Sequence, residues 1–326
     1  MNFKKLFKNN QREFCVIIGL IAMTIIFTLI NPIFISGANI RDIVEQGVIY
    51  GLMGIGMTFA IITGGIDLSV GAILALVAVT LSKMLVAEVN VFLAMLVSLI
   101  VGLVMGFLNG FIVTKMKLQP FIATMGTMSL YRGIAYVITQ GFPIANIPQN
   151  YRAIMYGVLI PGSGIRSSIL VFVLFAIICG IILRKTRFGS YLYALGGNEE
   201  AAKLSGVKID FNKICAYMMC ALGSTLAGFV LVAKLGAGEP TAANGYELDA
   251  IAAAAIGGTS MAGGRGTILG TFFGALLFSC LKIGLICSGV DSFWQYIATG
   301  LVIIVAAYVE VAQSSLAAAS LNKKKN

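Results

Sequence analysis

The chain contains no histidine, and only 11% of its 326 residues are charged. Without histidine neither a Ser-His-Asp triad nor a Cys-His pair can be assembled. The six cysteines, Cys15, Cys179, Cys215, Cys220, Cys280 and Cys287, form no C-x-x-C, so zinc-site spacing is missing too. They fall in or beside apolar stretches and read as small core residues. No pair of carboxylates stands in a cleft-like motif. The run 258–265 (GTSMAGGR) has the glycines of a phosphate-binding loop but lacks its Lys-Ser/Thr step. The chain is therefore expected to bind no metal, no ATP and no other cofactor itself.

What is present is apolar surface. The hydrophobic share is 59%, concentrated in long runs such as Phe14–Ile30, Val91–Val113 and Ser168–Leu183. A hydrocarbon layer needs about 20 such residues per helix, whereas buried strands of a soluble α/β protein give runs of about 4–8. The expected fold is an all-α integral membrane protein with about ten transmembrane helices. Length and punctuation put them near 14–32, 44–63, 67–86, 91–114, 120–140, 167–184, 214–235, 247–262, 267–287 and 293–311. The transmembrane domain then covers 14–312, between tails 1–13 and 313–326. Phe14–Ile30 is longer than a signal-peptide core and no A-x-A-like site follows, so it reads as an uncleaved first span. The second and third spans, and the eighth and ninth, are joined by very short Gly-rich connections, which leave room for broken or re-entrant helices.

The net charge is +10. Lys and Arg concentrate between the apolar runs, which points to membrane orientation rather than to nucleic acid. With the amino terminus inside the cell, the inner segments hold 16 of them: Lys4, Lys5, Lys8, Arg12, Lys115, Lys117, Arg184, Lys185, Arg187, Lys203, Lys208, Lys213, Arg265, Lys323, Lys324 and Lys325. The outer segments hold 3: Arg41, Arg152 and Arg166. Such a bias favours both termini in the cytoplasm of a multi-pass protein of the cell membrane.

Two loops are long. The outer one, 141–166, carries Pro143, Pro148 and Pro161 and is expected to be coil or a short surface helix. The inner one, 184–213, is the most polar stretch. Within it Asn198, Glu199, Glu200, Ala201, Ala202, Lys203, Leu204, Ser205 and Gly206 predict a short helix with Asn198 as N-cap, acids in the first turn and Gly206 as its stop. It reads equally as a solvated loop or as a helix docked on a cytoplasmic partner. Two glycine rows, 102/106/110 and 266/270/274, suit close helix packing within the chain or a seam with a second copy.

Polar groups at membrane depth are costly and face a cavity or a partner. Asp67, in the stretch Gly64–Gly71 (GGIDLSVG) with Gly65 and Ser69, is either a cap on the third span or a path residue. Arg132 pairs with a carboxylate or with backbone carbonyls, or lines a polar path. Glu247 and Asp249 open the eighth span, as first-turn acids or as path residues. Lys282 pairs or snorkels; Lys83 and Lys234, near outer ends, snorkel. Gln46, Asn109 and Asn244 are uncharged candidates for a sugar path, which wants hydrogen-bonding groups rather than charge.

Residues 61–76 (IITGGIDLSVGAILAL), 193–206 (YALGGNEEAAKLSG) and 244–264 (NGYELDAIAAAAIGGTSMAGG) resemble the ribose-type branch of bacterial ABC sugar-import permeases, with the same order of segments over about 14–310. The resemblance implies a vitamin-B12-type importer architecture and a permease that pairs with a second copy. It implies coupling to a cytoplasmic ABC ATPase, often with two fused nucleotide-binding domains, which binds ATP and Mg, and loading by an extracytoplasmic sugar-binding protein. Residues 198–206 match its coupling helix and Gly64–Gly71 its signature between the second and third spans. Transport by alternating access of one monosaccharide, most naturally ribose, follows. An ion-driven transporter would want mid-span acids and inverted repeats; few such acids and no clear repeat stand here. A membrane enzyme or a passive channel are the remaining alternatives.

Overall fold

In the computed structural model the described residues are 11–159, 162, 164–291, 293–305 and 308. Most of the tails 1–13 and 313–326, the lysines in them, Pro161 and the end of the last predicted span lie outside these residues. Among the described residues there is no strand, only isolated bridges between Ile144 and Gly238 and between Val158 and Arg166.

The helices are α1 (Gln11–Ile30), α2 (Gly37–Ile62), α3 (Val70–Val86), α4 (Val91–Lys115), α5 (Pro120–Thr139), α6 (Gln149–Tyr156), α7 (Ser167–Lys185), α8 (Arg187–Gly197), α9 (Glu199–Leu204), α10 (Ile209–Leu235), α11 (Tyr246–Ile256), α12 (Ile268–Cys287) and α13 (Phe293–Val305). A 3₁₀ turn, Pro32–Ile35, links α1 to α2. Seven of them, α1, α2, α4, α5, α7, α10 and α12, are long and apolar enough to cross a membrane. α3 and α13 are shorter apolar helices. The eighth predicted span is a helix of 11 residues, α11, followed by the glycine-rich segment 257–267. At 1.5 Å per residue it covers only about 17 Å, because Gly257 and Gly258 (φ +83°) end it early.

α2 is the axis. From Glu45 to Ile62 almost all of it is buried, packed by α10, α12, α11 and α7. α1, α4, α5 and α7 form the rim and expose rows of apolar side chains such as Leu93, Leu96 and Ile100 on α4 and Ile177, Ile178 and Ile181 on α7. That pattern, polar inside contacts and an apolar outer belt, is the one a lipid-embedded bundle needs.

Both glycine rows pack within the chain. A Cβ at Gly102, Gly106 or Gly110 would strike Thr225, Ala221 or Ile214 of α10. Gly270 and Gly274 stand against the backbone of Gly257 and Ala253. With no hydrophobic driving force between helices in lipid, such close backbone approach supplies dispersion contacts instead.

The loop regions hold more helix than the sequence suggested. Loop 141–166 carries α6. Loop 184–213 carries α9 as predicted and also α8, whose N-cap Thr186 accepts from Gly189 N and whose Leu192 and Leu195 are buried. That i, i+3 pair after a Thr was the available signal.

Candidate functional site

Two helices of the bundle are interrupted. After α2 the chain bends at Gly64 (φ +79°), runs without regular structure through 65–67 and turns at 68–69 before α3 begins. After α10 it turns at Gly236 (φ +71°) and runs as irregular coil to Gly245 (φ +85°) before α11 begins. Irregular backbone at membrane depth survives only where protein or a water-filled cavity satisfies it, and both segments carry dedicated partners.

The first is held by Asp67, which is fully buried. Its Oδ1 accepts from Ser69 N (2.9 Å) and Ser69 Oγ (2.6 Å), and Asn109 Nδ2 donates to Oδ2 at 3.1 Å and to Ser69 Oγ at 2.7 Å. Tyr131 on α5 donates to Asn109 Oδ1 at 3.0 Å. Thr124 receives Leu68 N at 3.1 Å and donates to Ile66 O at 3.3 Å. Asp67 therefore ties the irregular segment to α4 and, through Asn109 and Tyr131, to α5, and the N-cap position of α3 belongs to Ser69, without a side-chain cap. Asn109 is an inter-helix tie with no exposed surface.

The second segment is held by Arg132. Its Nη1 donates to Pro240 O and to Ala242 O, both at 2.7 Å, and it makes no ion pair among the described residues. Gly71, near the start of α3, faces this segment: a Cβ there would overlap Ala243 O and crowd the Glu247 carboxylate. The start of α3 and the start of α11 thus meet, bringing Gly71, Arg132 and Glu247 into one neighbourhood. Thr241 and Asn244 are exposed on it.

Asp249 lies elsewhere. It pairs with Lys282 of α12 at 2.6 Å, both nearly buried, with Lys282 Nζ 3.2 Å from Tyr50 OH and 4.9 Å from its ring centroid. Gln46 donates to Tyr50 OH at 2.6 Å. Lys282 is a paired cation, and Gln46 a member of the same cluster. Lys234 does not simply snorkel either: it lies 3.4 Å from the buried carboxylate of Glu45, which Arg166 (3.1 Å) and the Tyr156 hydroxyl also address. Burial, then the Glu45 hydrogen bond, pushes the Tyr156 phenol above its ordinary value, so it stays a donor. Sequence reasoning missed Glu45, although an acid inside the second span was a visible signal. It also missed Tyr131 and Tyr217, whose hydroxyl sits over Gly65.

α9 stands apart from these clusters. Asn198 Oδ1 accepts from Ala201 N at 2.9 Å, Lys213 pairs with Glu199 at 2.6 Å, and Gly206 (φ +81°) follows the helix. Ala202 is buried beneath it, while Leu204 is 90% exposed. The chain just before α9 is welded to the bundle. Gly196 abuts the Ile62 carbonyl and the Gly264 backbone, Gly264 N donates to Ile62 O at 2.8 Å, and Tyr193 OH donates to Gly266 O at 2.7 Å. Burial keeps the Tyr193 phenol above its ordinary value, so this donor persists. No group of three or more metal-ligating side chains occurs among the described residues.

Among the described residues, seven helices long and apolar enough to cross a membrane, with two interrupted segments met by buried polar ties, are those of a multi-pass membrane protein. The family described as branched-chain amino acid transport system / permease component matches residues 39–307, and the chain belongs to it. It is 45% identical over 300 residues to the ribose import permease protein RbsC of Bacillus subtilis (strain 168), covering 91% of this chain and 92% of that one. It is 40% identical over 296 residues to the ribose import permease protein RbsC of Escherichia coli (strain K12), covering 90% and 92%. It is 35% identical over 283 residues to the D-allose transport system permease protein AlsC of Escherichia coli (strain K12), covering 86% of each. No solved structure matches it.

Proposed function

We propose that this chain is the permease subunit of an ABC importer that moves ribose into the cell. The observation that carries the reading is the 45% identity to a ribose import permease over 91% of the chain. The chemistry agrees: the segments at membrane depth offer neutral hydrogen-bonding groups, as a sugar path requires.

In this reading the α8–α9 end is cytoplasmic, as its Lys and Arg favour, and the two termini share that side. The shorter apolar helices α3 and α13, with α11 as a half-span entered by a re-entrant segment, complete a ten-span, vitamin-B12-type architecture. Two copies pair. α9 docks on a separate ATPase, with two fused nucleotide-binding domains, which binds ATP and Mg; an apolar side chain as exposed as Leu204 in a polar loop supports a docking role. A sugar-binding protein docks on the outer loops, beside α6. Closure of the ATPase moves α9, and the glycine weld at 196 and 264 passes that motion to the ends of both interrupted segments, so that the outward and inward openings alternate. Gly64, Gly65, Asp67, Ser69, Gly71 and Asn109 keep the first segment in shape.

Cells lacking this gene, complemented with it, test the reading by uptake of labelled ribose. Uptake restored by the gene, competed by unlabelled ribose and not by leucine, is expected. Restoration of leucine uptake instead would move the substrate to the branched-chain amino acids of the family's description.

A further inference from the structure

The segment 236–245 is irregular backbone held by a dedicated side chain, Arg132. Arg132 stands about 18 Å along the roughly 30 Å of α5, so Pro240 and Ala242, whose carbonyls it takes, stand at a similar depth. A guanidinium at that depth is expensive; here it makes no salt bridge among the described residues, and the carboxylate its charge feels is that of Glu247. It serves instead to occupy two carbonyls freed by the break in the helix. Ala243, a non-glycine residue at φ +56°, and Gly245 at φ +85° complete a tight turn. Gly71 lets that turn seat on the start of α3, where any side chain would overlap Ala243 O.

The consequence is a fixed orientation of side chains. Ala242 and Ala243 are buried, while Thr241, between the two clamped carbonyls, and Asn244 are exposed. Neither side chain hydrogen-bonds within the described residues. A hydroxyl and a carboxamide turned toward hydrocarbon would be costly, so this face meets water. Both groups donate and accept, and neither is charged. They suit a neutral polyhydroxyl ligand and would hold an ion poorly.

We propose that Thr241 and Asn244 are sugar-contacting residues of the translocation path, and that Arg132 is the positioning residue that presents them. This rests on the sugar-permease reading above and names residues for it.

The test uses the full importer with its ATPase and binding protein. Thr241→Cys and Asn244→Cys, with the exposed Cys15 replaced by Ser, are treated with a charged, water-soluble thiol reagent. Val137→Cys on the exposed face of α5 serves as the lipid-facing control. Both path cysteines are expected to react about tenfold faster than the control, and ribose uptake to fall as they do. Rates equal to the control, with reaction only toward a lipid-soluble maleimide, would overturn the placement. In parallel, Thr241→Val with Asn244→Leu is expected to lower ribose uptake about tenfold while ATP hydrolysis stimulated by the loaded binding protein holds; Thr241→Ser should retain uptake. Wild-type ribose uptake with an unaffected double variant sinks this inference alone. No ribose uptake by the wild type sinks the underlying reading instead. Arg132→Lys keeps the charge but loses the planar fork. At normal abundance it should lower uptake and shift the labelling rate of Thr241→Cys; an unchanged rate removes Arg132 from the positioning role.

Discussion

Gly196, in the last turn of α8 and three residues before α9, lies so close to the carbonyl of Ile62 at the end of α2 that a Cβ there would overlap the oxygen. The same glycine abuts Gly264, whose N–H donates to that same carbonyl. Three chain segments therefore touch backbone to backbone: the end of α8, the end of α2 that leads to the first interrupted segment, and the loop after α11 that follows the second. Side chains would put soft, rotatable matter between them; glycine removes it.

Gly196→Ala is thus expected to wedge these segments apart. Overpacking of this kind costs about 1–3 kcal/mol, enough to lower the melting temperature of the purified protein. Its effect on uptake per assembled complex should be larger than the stability loss explains. Equal melting and equal uptake would show that the junction tolerates a methyl group and transmits nothing.

The buried carboxylate of Asp67 gives a second prediction. Asp67→Ala leaves Ser69 Oγ and Asn109 Nδ2 short of an acceptor in the bundle interior. An orphaned buried group costs about 1–3 kcal/mol. The variant should melt earlier and accumulate less. Asp67→Asn keeps an acceptor and should lie between the two. Wild-type thermal stability for Asp67→Ala would reduce this network to an ornament.

Lys282 and Asp249 give a third. Removing one partner of a buried ion pair leaves a bare charge and costs about 3–5 kcal/mol, so Lys282→Met alone should be strongly destabilised. Lys282→Met combined with Asp249→Asn removes both charges and should recover much of the loss. A double variant as unstable as the single one would assign the cost to packing around Tyr50 and Phe278 rather than to charge.

Reversal of charge on α9 gives a fourth. Glu199→Arg with Glu200→Arg breaks the 2.6 Å pair with Lys213 and inverts the exposed face of the helix. The chain should still insert, but ATP hydrolysis in the complex should no longer depend on ribose-loaded binding protein. Unchanged uptake in vesicles would remove the docking role from 198–206.

How legible this was differs from element to element. Long apolar runs announce membrane helices because hydrocarbon thickness fixes their length, so α1, α4, α5, α7 and α10 stand near where the runs lie. Asn198 with its acids and Gly206 announced α9, since caps are local chemistry. The breaks were visible only as glycines. That α11 is half a span depends on Gly257 packing on α12, a tertiary contact the local sequence does not encode. Apart from Ser69, two positions from Asp67, the partners of Asp67, Arg132 and Asp249 come from residues 33 to 110 positions away. A polar residue in an apolar run reveals that a partner must exist, but not which one. Asn109 and Asn244 show the limit: equal candidates as sequence, one ends as a buried tie and the other on an open face.

The central claim is that this chain is a gate moved by borrowed ATPase work. Purified protein in proteoliposomes, with labelled ribose outside, tests it directly. Alone, it should pass no ribose in either direction; with the cytoplasmic ATPase, the sugar-binding protein and ATP it should concentrate ribose inside. Ribose movement by the chain alone, down its gradient or against it, would contradict the account.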